Sequence, residues 1–464
     1  MELWQQSASE LARMVRTGET TSREVVESHL ARIDAVNSKV NAIVEIRPDE
    51  VRRDADAADA LVRAGAPLGP LHGVPVTVKS NIDVAGYATN EGSAALKDFM
   101  ASEDAPVVER IRQAGGVVLA RTNMPDLGLR INTESSLYGA THNPWRHGIT
   151  AGGSSGGEAA ALAAGMTPLG LGNDIGGSLR NPAYACGVAS IKPSRGRVPE
   201  GNPSATVETA LNGQLMAVEG VLARHVADVR LGLECVMGSH RRDPQAVDAP
   251  LSGRPMARRV ALVPRPAGGD THPNVEAGVR RAGAALEAAG YEVDEIEPPL
   301  LLEAYLAWIE LMWSNLRVAA PIIAPFMGEG GQRFLELSSV EFPPATEESM
   351  FQMHVTRFRV ARAWRRFFED FPLIVGPTWT QPPFAHGFDI ESQESAMAVA
   401  ELFRFVLPAN LMGLPAACVA TGLADGLPTG VQIISLPFRE DLCLDAAAVV
   451  ESTLGVLTPI DPRD

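Results

Sequence analysis

The chain is short of the features that would place it outside the cell or in a membrane. Its four cysteines (Cys186, Cys235, Cys418, Cys443) form no close pair and no CxxC. Neither a disulfide framework nor a thiolate zinc site is expected, and the thiols read as reduced core residues of a cytoplasmic protein. No apolar run reaches the roughly 18 residues that cross a bilayer. The most apolar stretch, 300–327, is broken by Glu303, Glu310, Asn315 and Arg317. The opening MELWQQSASE has no basic segment leading into an apolar one, so no secretion signal is expected. Basic residues are also scarce: Lys and Arg number 40 against 56 Asp and Glu, a net charge of −16. Such a chain repels phosphate backbones, which argues against nucleic acid as the ligand. There is no G-x-x-x-x-G-K-[ST] nucleotide cradle, no HExxH and no paired Cys/His set, so neither a metal nor a cofactor is expected. No repeat and no linker composition divides the 464 residues, which read as one domain with a variable middle at about 200–390.

What is present is a globular composition, 45% hydrophobic and 21% charged. Ser7 with Glu10, and Thr21 with Glu24, have capping-box spacing and predict helices over 8–17 and 22–36. A charged helix is expected over 49–64, and strands at 41–46, 75–79 (PVTVK) and 117–121 (VVLAR) flank a helix over 106–114. Further on, 259–263 reads as a strand and 354–370 as a helix carrying alternating aromatics and arginines. Given the overall negative charge, that helix reads as a solvated face rather than a nucleic-acid patch. The tail from 401 returns to helix and strand signals. Alternation of this kind argues for an α/β layered fold with a largely buried sheet.

Residues 150–180, TAGGSSGGEAAALAAGMTPLGLGNDIGGSLR, hold nine glycines in three clusters. GGSSGG at 152–157 matches G-x-S-x-G, but no strand precedes the serine, so a nucleophile elbow is not expected. In DIGGS at 174–178, consecutive Ile-Gly-Gly-Ser positions can aim several backbone N–H groups into one small volume, which suits an oxyanion hole. Ser178 closes that turn. A serine needs a base, and no histidine lies in these loops; His142 and His147, the nearest, read as loop residues. Lys79, at the end of an apolar strand, is the better candidate, because burial without a carboxylate partner disfavours the ammonium form.

Taken together, these pieces resemble the amidase signature family over almost the whole chain. The resemblance is carried by GVPVTVKSNIDV at 73–84, ARTNMPDLG at 120–128, YGATHNPW at 138–145, AGGSSGGEAAALAAGMTPLGLGNDIGGSLRNPA at 151–183 and CGVASIKPSRGRV at 186–198. NLMGLPAACVATG at 410–422, GLPTGVQII at 426–434 and PIDP at 459–462 continue it in the tail. It implies a three-layer α/β/α sandwich around a large mixed, mostly parallel sheet. It also implies an acyl-enzyme hydrolase of carboxylic amides, with carbamates and esters as related substrates, acting through a Ser–Ser–Lys triad. Lys79 is then the base, Ser154 the bridging serine after a cis Gly153–Ser154 bond, and Ser178 the nucleophile. The N–H groups of Ile175, Gly176, Gly177 and Ser178 form the oxyanion hole, Ser155 and Asp174 support it by hydrogen bonding, and Arg180 pins the loop. The chain departs from the commoner pattern at Glu158, Asn173, Ile175, Ala189, Ser194 and Arg195.

Substrate choice is the least legible part. Arg195 is expected over the active-site mouth as a specificity residue. The helix around 301–313, with Tyr305, Trp308, Met312 and Trp313, is expected either to pack the core or to wall an acyl pocket. The expected partner is a small-molecule amide or carbamate, and the expected assembly a monomer or homodimer. Two other classes share the resemblance: the glutaminase subunit of a tRNA-dependent amidotransferase, and an inactive amidase-like binding protein.

Overall fold

The computed structural model describes residues 2–339 and 346–463, so Met1, Asp464 and positions 340–345 of the expected variable middle lie outside the described residues. The eleven strands of the main sheet are β1 (Ile43–Glu45), β2 (Pro75–Lys79), β3 (Val117–Thr122), β4 (Leu169–Asp174), β5 (Ala189–Lys192), β6 (Val218–Ala223), β7 (Arg259–Leu262), β8 (Glu292–Glu295), β9 (Leu373–Pro377), β10 (Ala416–Ala424) and β11 (Leu427–Ser435). Their order across the sheet is β1-β3-β2-β4-β6-β5-β10-β11-β9-β7-β8.

Period-two alternation puts side chains on both faces of this sheet. Val260 and Leu262 of β7 join Val76, Val78, Leu169 and Leu171 in one apolar layer, covered by helices 8–17, 106–113, 226–236, 273–288 and 440–454. Ala261 faces the other way, into a layer with Trp364 and Phe368 of the helix Glu347–Asp370. Helices 156–163 and 180–186 cover the same side nearer the glycine loops. The result is the expected three-layer α/β arrangement around a mixed sheet.

The expectation of a mostly parallel sheet is corrected. Six of the ten neighbouring strand pairs are antiparallel and four are parallel. Strand–helix alternation tells that helices cover a sheet, but not from which end each strand enters it. β10 and β11 show the cause most simply. Asp425 and Gly426 both have positive φ (52° and 77°), which turns the chain straight back as a tight hairpin.

The predicted helix starts differ in detail. Thr21 and Glu24 form the full reciprocal capping box. Ser7 accepts from the Glu10 N–H, but the Glu10 carboxylate turns to Arg13 at 2.6 Å instead of closing the second half. The helix expected at 354–370 begins earlier, at Glu347, where Thr346 caps it. It buries Met353, Val360, Trp364 and Phe368 and leaves Phe351, Phe358 and most of its arginines outward.

Candidate active site

β2 and β4 are parallel neighbours, with Val76 opposite Leu169 and Val78 opposite Leu171. Their carboxyl ends therefore open on the same side of the sheet, the side where α/β folds bind ligands. Lys79 is the last residue of β2, and Asp174 is the last of β4, immediately before the Ile175–Ser178 turn. The other glycine loop, 152–155, leads into the helix Gly156–Ala163, whose buried alanines let it sit close on the sheet. The topology thus gathers Lys79, Ser154 and Ser178, which the sequence separates by up to about a hundred positions.

Lys79 is fully buried, with Nζ 2.7 Å from Ser154 Oγ and 2.7 Å from Asn173 Oδ1. Neither contact carries a negative charge. Burial drives its pKa down from 10.5, while Glu219, Asp174, Glu158 and Glu91 at longer range pull it partly back, leaving it at about 7. A large fraction of neutral amine is therefore present at neutral pH.

The Gly153–Ser154 bond is cis. Gly153 cannot be larger, since a Cβ there would stand 2.6 Å from the backbone carbon of Ile131. Thr133 organises this loop: its Oγ1 donates to the Gly152 carbonyl at 2.7 Å and accepts the Gly156 N–H at 3.1 Å. Ser155 meets the other loop through its backbone, donating its N–H to the Ser178 carbonyl at 3.3 Å. Its buried hydroxyl has no hydrogen-bond partner among the described residues.

The second loop is built around Asp174. Its Oδ1 accepts the Gly177 N–H at 2.7 Å and its Oδ2 the Leu179 N–H at 3.1 Å. Arg180 reaches both carboxylate oxygens at 3.1 Å, and also holds the Val406 carbonyl, Gln432 and Asn410. Burial alone would raise the Asp174 pKa. The Arg180 guanidinium beside it outweighs burial and holds the carboxyl at about 2. Gly177 has φ +98°, and a Cβ on it would meet the Asn181 amide at 2.5 Å, so both conformation and space demand glycine. Because the Gly177 N–H already serves Asp174, the turn's remaining backbone donors for a substrate oxygen are those of Ile175, Gly176 and Ser178.

Asn181, Asn173, Thr133 and Trp379 were not identified as functional from the sequence. Asn181 Nδ2 donates to the Gly176 carbonyl at 3.2 Å and the Gly153 carbonyl at 3.4 Å, tying the two glycine loops together. Trp379 Nε1 donates to Asn181 Oδ1 at 2.9 Å and fixes that amide's orientation. Asn181 sits in the SLRNPA motif, which was a usable signal; for Trp379, 198 positions away, there was none.

Ser178 opens into an apolar pocket walled by Ile131, Trp308, Met312, Trp313, Phe334 and Phe403. The helix Leu301–Ile323 supplies three of these side chains, so one of the two readings for that helix, a pocket wall, applies to Trp308, Met312 and Trp313. Tyr305 is buried in the core, with its hydroxyl on the Ala400 carbonyl at 3.2 Å. Arg195, expected over the mouth, is held by other contacts. It does not line this pocket. Its Nε donates to the Gln214 carbonyl at 2.6 Å and Nη1 lies 3.3 Å from Glu200 and 3.7 Å from Asp243. Its loop is tied to the helix Glu440–Leu454 by Glu440, which accepts from the Ser194 N–H and pairs with Arg197. His142 and His147 stack on each other at 3.8 Å, and neither lines the pocket.

The model of the Amidase family matches residues 24–444. The chain belongs to the amidase family. It is 42% identical to the indoleacetamide hydrolase of Bradyrhizobium diazoefficiens, over 98% of this chain and 88% of that protein. It is 34% identical to a glutamyl-tRNA(Gln) amidotransferase subunit of Salinispora arenicola, over 98% of each. The solved structure of a 6-aminohexanoate cyclic dimer hydrolase superposes with a TM-score of 0.84 at 29% identity, covering 98% of each chain. This amidase is a hydrolase of carboxylic amide C–N bonds.

Proposed function

We propose that this amidase hydrolyses amides with a flat aromatic acyl group, of the arylacetamide kind, through an acyl-enzyme on Ser178. The observation that carries the substrate class is the apolar, tryptophan-walled pocket into which Ser178 opens. The 42% identical relative named for indoleacetamide hydrolysis supports the same class. Neutral Lys79 takes a proton from Ser154, and Ser154 takes one from Ser178 as Ser178 Oγ bonds to the amide carbon. The negative oxygen is received by the N–H groups of Ile175, Gly176 and Ser178. The proton returns along the relay to the nitrogen, the C–N bond breaks, and ammonia or an amine leaves. Water then cleaves the acyl ester by the same route in reverse, releasing the carboxylic acid and free Ser178. Carbamates and esters fit the same acyl-transfer chemistry.

In this reading Asp174, Arg180 and the Ser155 N–H hold the loops in register, and residues 200–390 of a single 1–464 domain supply the pocket walls. The enzyme works in the cytoplasm as a monomer or homodimer, without nucleic acid, metal or cofactor. Among the described residues no helix is long and apolar enough to cross a membrane.

The glutaminase reading rests on the likeness to the amidotransferase, but glutamine carries an ammonium and a carboxylate into its pocket. Arg130, the charged side chain in this pocket's lining, is already committed to Asp389 at 2.8 and 2.9 Å. Ammonia release from indole-3-acetamide, phenylacetamide, acetamide and glutamine tests the proposal. The aryl substrates are expected to have the highest kcat/KM, and preference for glutamine would overturn it.

A further inference from the structure

Trp308 makes two contacts that the pocket alone does not require. Its Nε1 donates to the Ile175 carbonyl oxygen at 3.0 Å. Its six-membered ring also lies flush on the glycine turn: a Cβ on Gly176 would stand 2.8 Å from Cζ2 and 3.0 Å from Cη2. The Ile175 carbonyl and the Gly176 N–H belong to one peptide unit. That unit is planar and trans, so the two groups point in opposite directions. Holding the carbonyl from one side therefore aims the N–H to the other, away from the indole nitrogen. Asn181 holds the next carbonyl, that of Gly176, at 3.2 Å. Successive peptide planes of the turn are thus each fixed by one side-chain donor, and the donor for the first plane comes from the middle region that walls the pocket.

We infer that Trp308 is a positioning residue for the oxyanion loop, setting the direction of the Gly176 N–H while its ring walls the acyl pocket. This rests on the reading in which the oxyanion forms at the 175–178 turn. An aryl acyl group seated against the indole presses on the same side chain that holds the Ile175–Gly176 plane, so pocket occupancy reaches the chemical step as well as binding. A residue of this kind acts on kcat, and a simple wall acts on KM.

The test separates these. Trp308→Phe keeps an aromatic wall and loses the N–H donor; 3-benzothienylalanine at position 308 keeps the bicyclic shape and replaces only the N–H. Both are compared with the unchanged enzyme on phenylacetamide and acetamide, with thermal midpoints measured alongside. The loss of a whole oxyanion donor costs about 10²–10³ in kcat, so a misaimed one is expected to cost about tenfold or more. That loss should appear on both substrates, with the phenylacetamide KM within about threefold and the thermal midpoint of the isostere unchanged. A kcat within about twofold of the unchanged enzyme in the benzothienyl variant, or a loss confined to KM, would overturn the inference. Ser178→Ala is run in parallel. If that variant still turns over, the acyl-enzyme reading itself fails. If it is inactive while the benzothienyl variant keeps its kcat, only the role of Trp308 fails.

Discussion

At the scale of single residues, the site works by withholding counter-charges. Lys79 meets two neutral oxygens, on Ser154 and Asn173, and among the described residues no carboxylate within hydrogen-bond distance. Its ammonium is disfavoured by burial, and its pKa falls to about 7. In the proposed mechanism the neutral form of Lys79 is the base, so kcat/KM is expected to rise with pH through about 7 to an alkaline plateau. Lys79→Ala should lose about a thousandfold or more, and the weak residual rate should no longer follow that limb; a limb that persists unchanged would assign it to another group. Ser178→Ala should lose activity on the same scale, with circular dichroism and thermal midpoint retained, and it should form no acyl-enzyme visible by mass spectrometry. Lys79 was legible as a candidate base because its strand is apolar and no histidine lies in the glycine loops. Asn173 was visible in the sequence as a departure at its position. That it touches Lys79 follows from the β2–β4 register, which no local pattern specifies.

At the scale of elements, buried charges lock the loops to the sheet. Asp174→Asn leaves Arg180 buried beside an uncharged amide, and breaking a fully buried pair costs about 3–5 kcal/mol. Chemical denaturation is expected to read a loss of that order, with Arg180→Lys losing the bidentate contact and falling in between. Glu158 stands at the crossing of three elements, accepting from Thr77 of β2 at 2.6 Å and Thr122 of β3 at 2.8 Å. Burial raises its pKa from 4.5 to about 8. The folded state therefore keeps a proton that the unfolded chain gives up. Its contribution to stability is complete below about pH 4.5 and is lost as pH rises toward about 8, after which it levels off. Glu158→Gln is expected to flatten that part of the stability profile, and an unchanged slope between pH 5 and 8, the same window, would show that another group causes it. The helices of this layer were readable from their caps and periodicity. β5, β6 and β9 were not read as strands, since their pairing partners lie far away in sequence.

At the scale of the whole molecule, the proposed pocket draws much of its wall from the middle of the chain, and the proposed chemistry lies in the segment before it. Arg195 was expected at the mouth because it follows Ser178 by few residues. Its ion pairs with Glu200 and Asp243, and the anchoring of its loop to Glu440, hold it elsewhere. Arg195→Ala is therefore expected to change kcat/KM by one common factor on phenylacetamide, acetamide and larger aryl amides. A substrate-selective change would return it to the pocket. Trp308, over a hundred positions after Ser178, is a residue that faces both the pocket and the loop.

By itself the sequence determined what is local. It set the helix caps, the apolar strand ending in Lys79, the two glycine turns with their serines, and through them the family and the amide chemistry. These are readable because φ/ψ demands, capping and backbone approach act over a few residues. Only the tertiary structure decided which strands run antiparallel, which amide partners Lys79, which N–H of the turn is already spent on Asp174, and which indole braces the turn. Each of those is a contact between segments brought together by the sheet, and its energy depends on a register and a burial that neither segment carries alone.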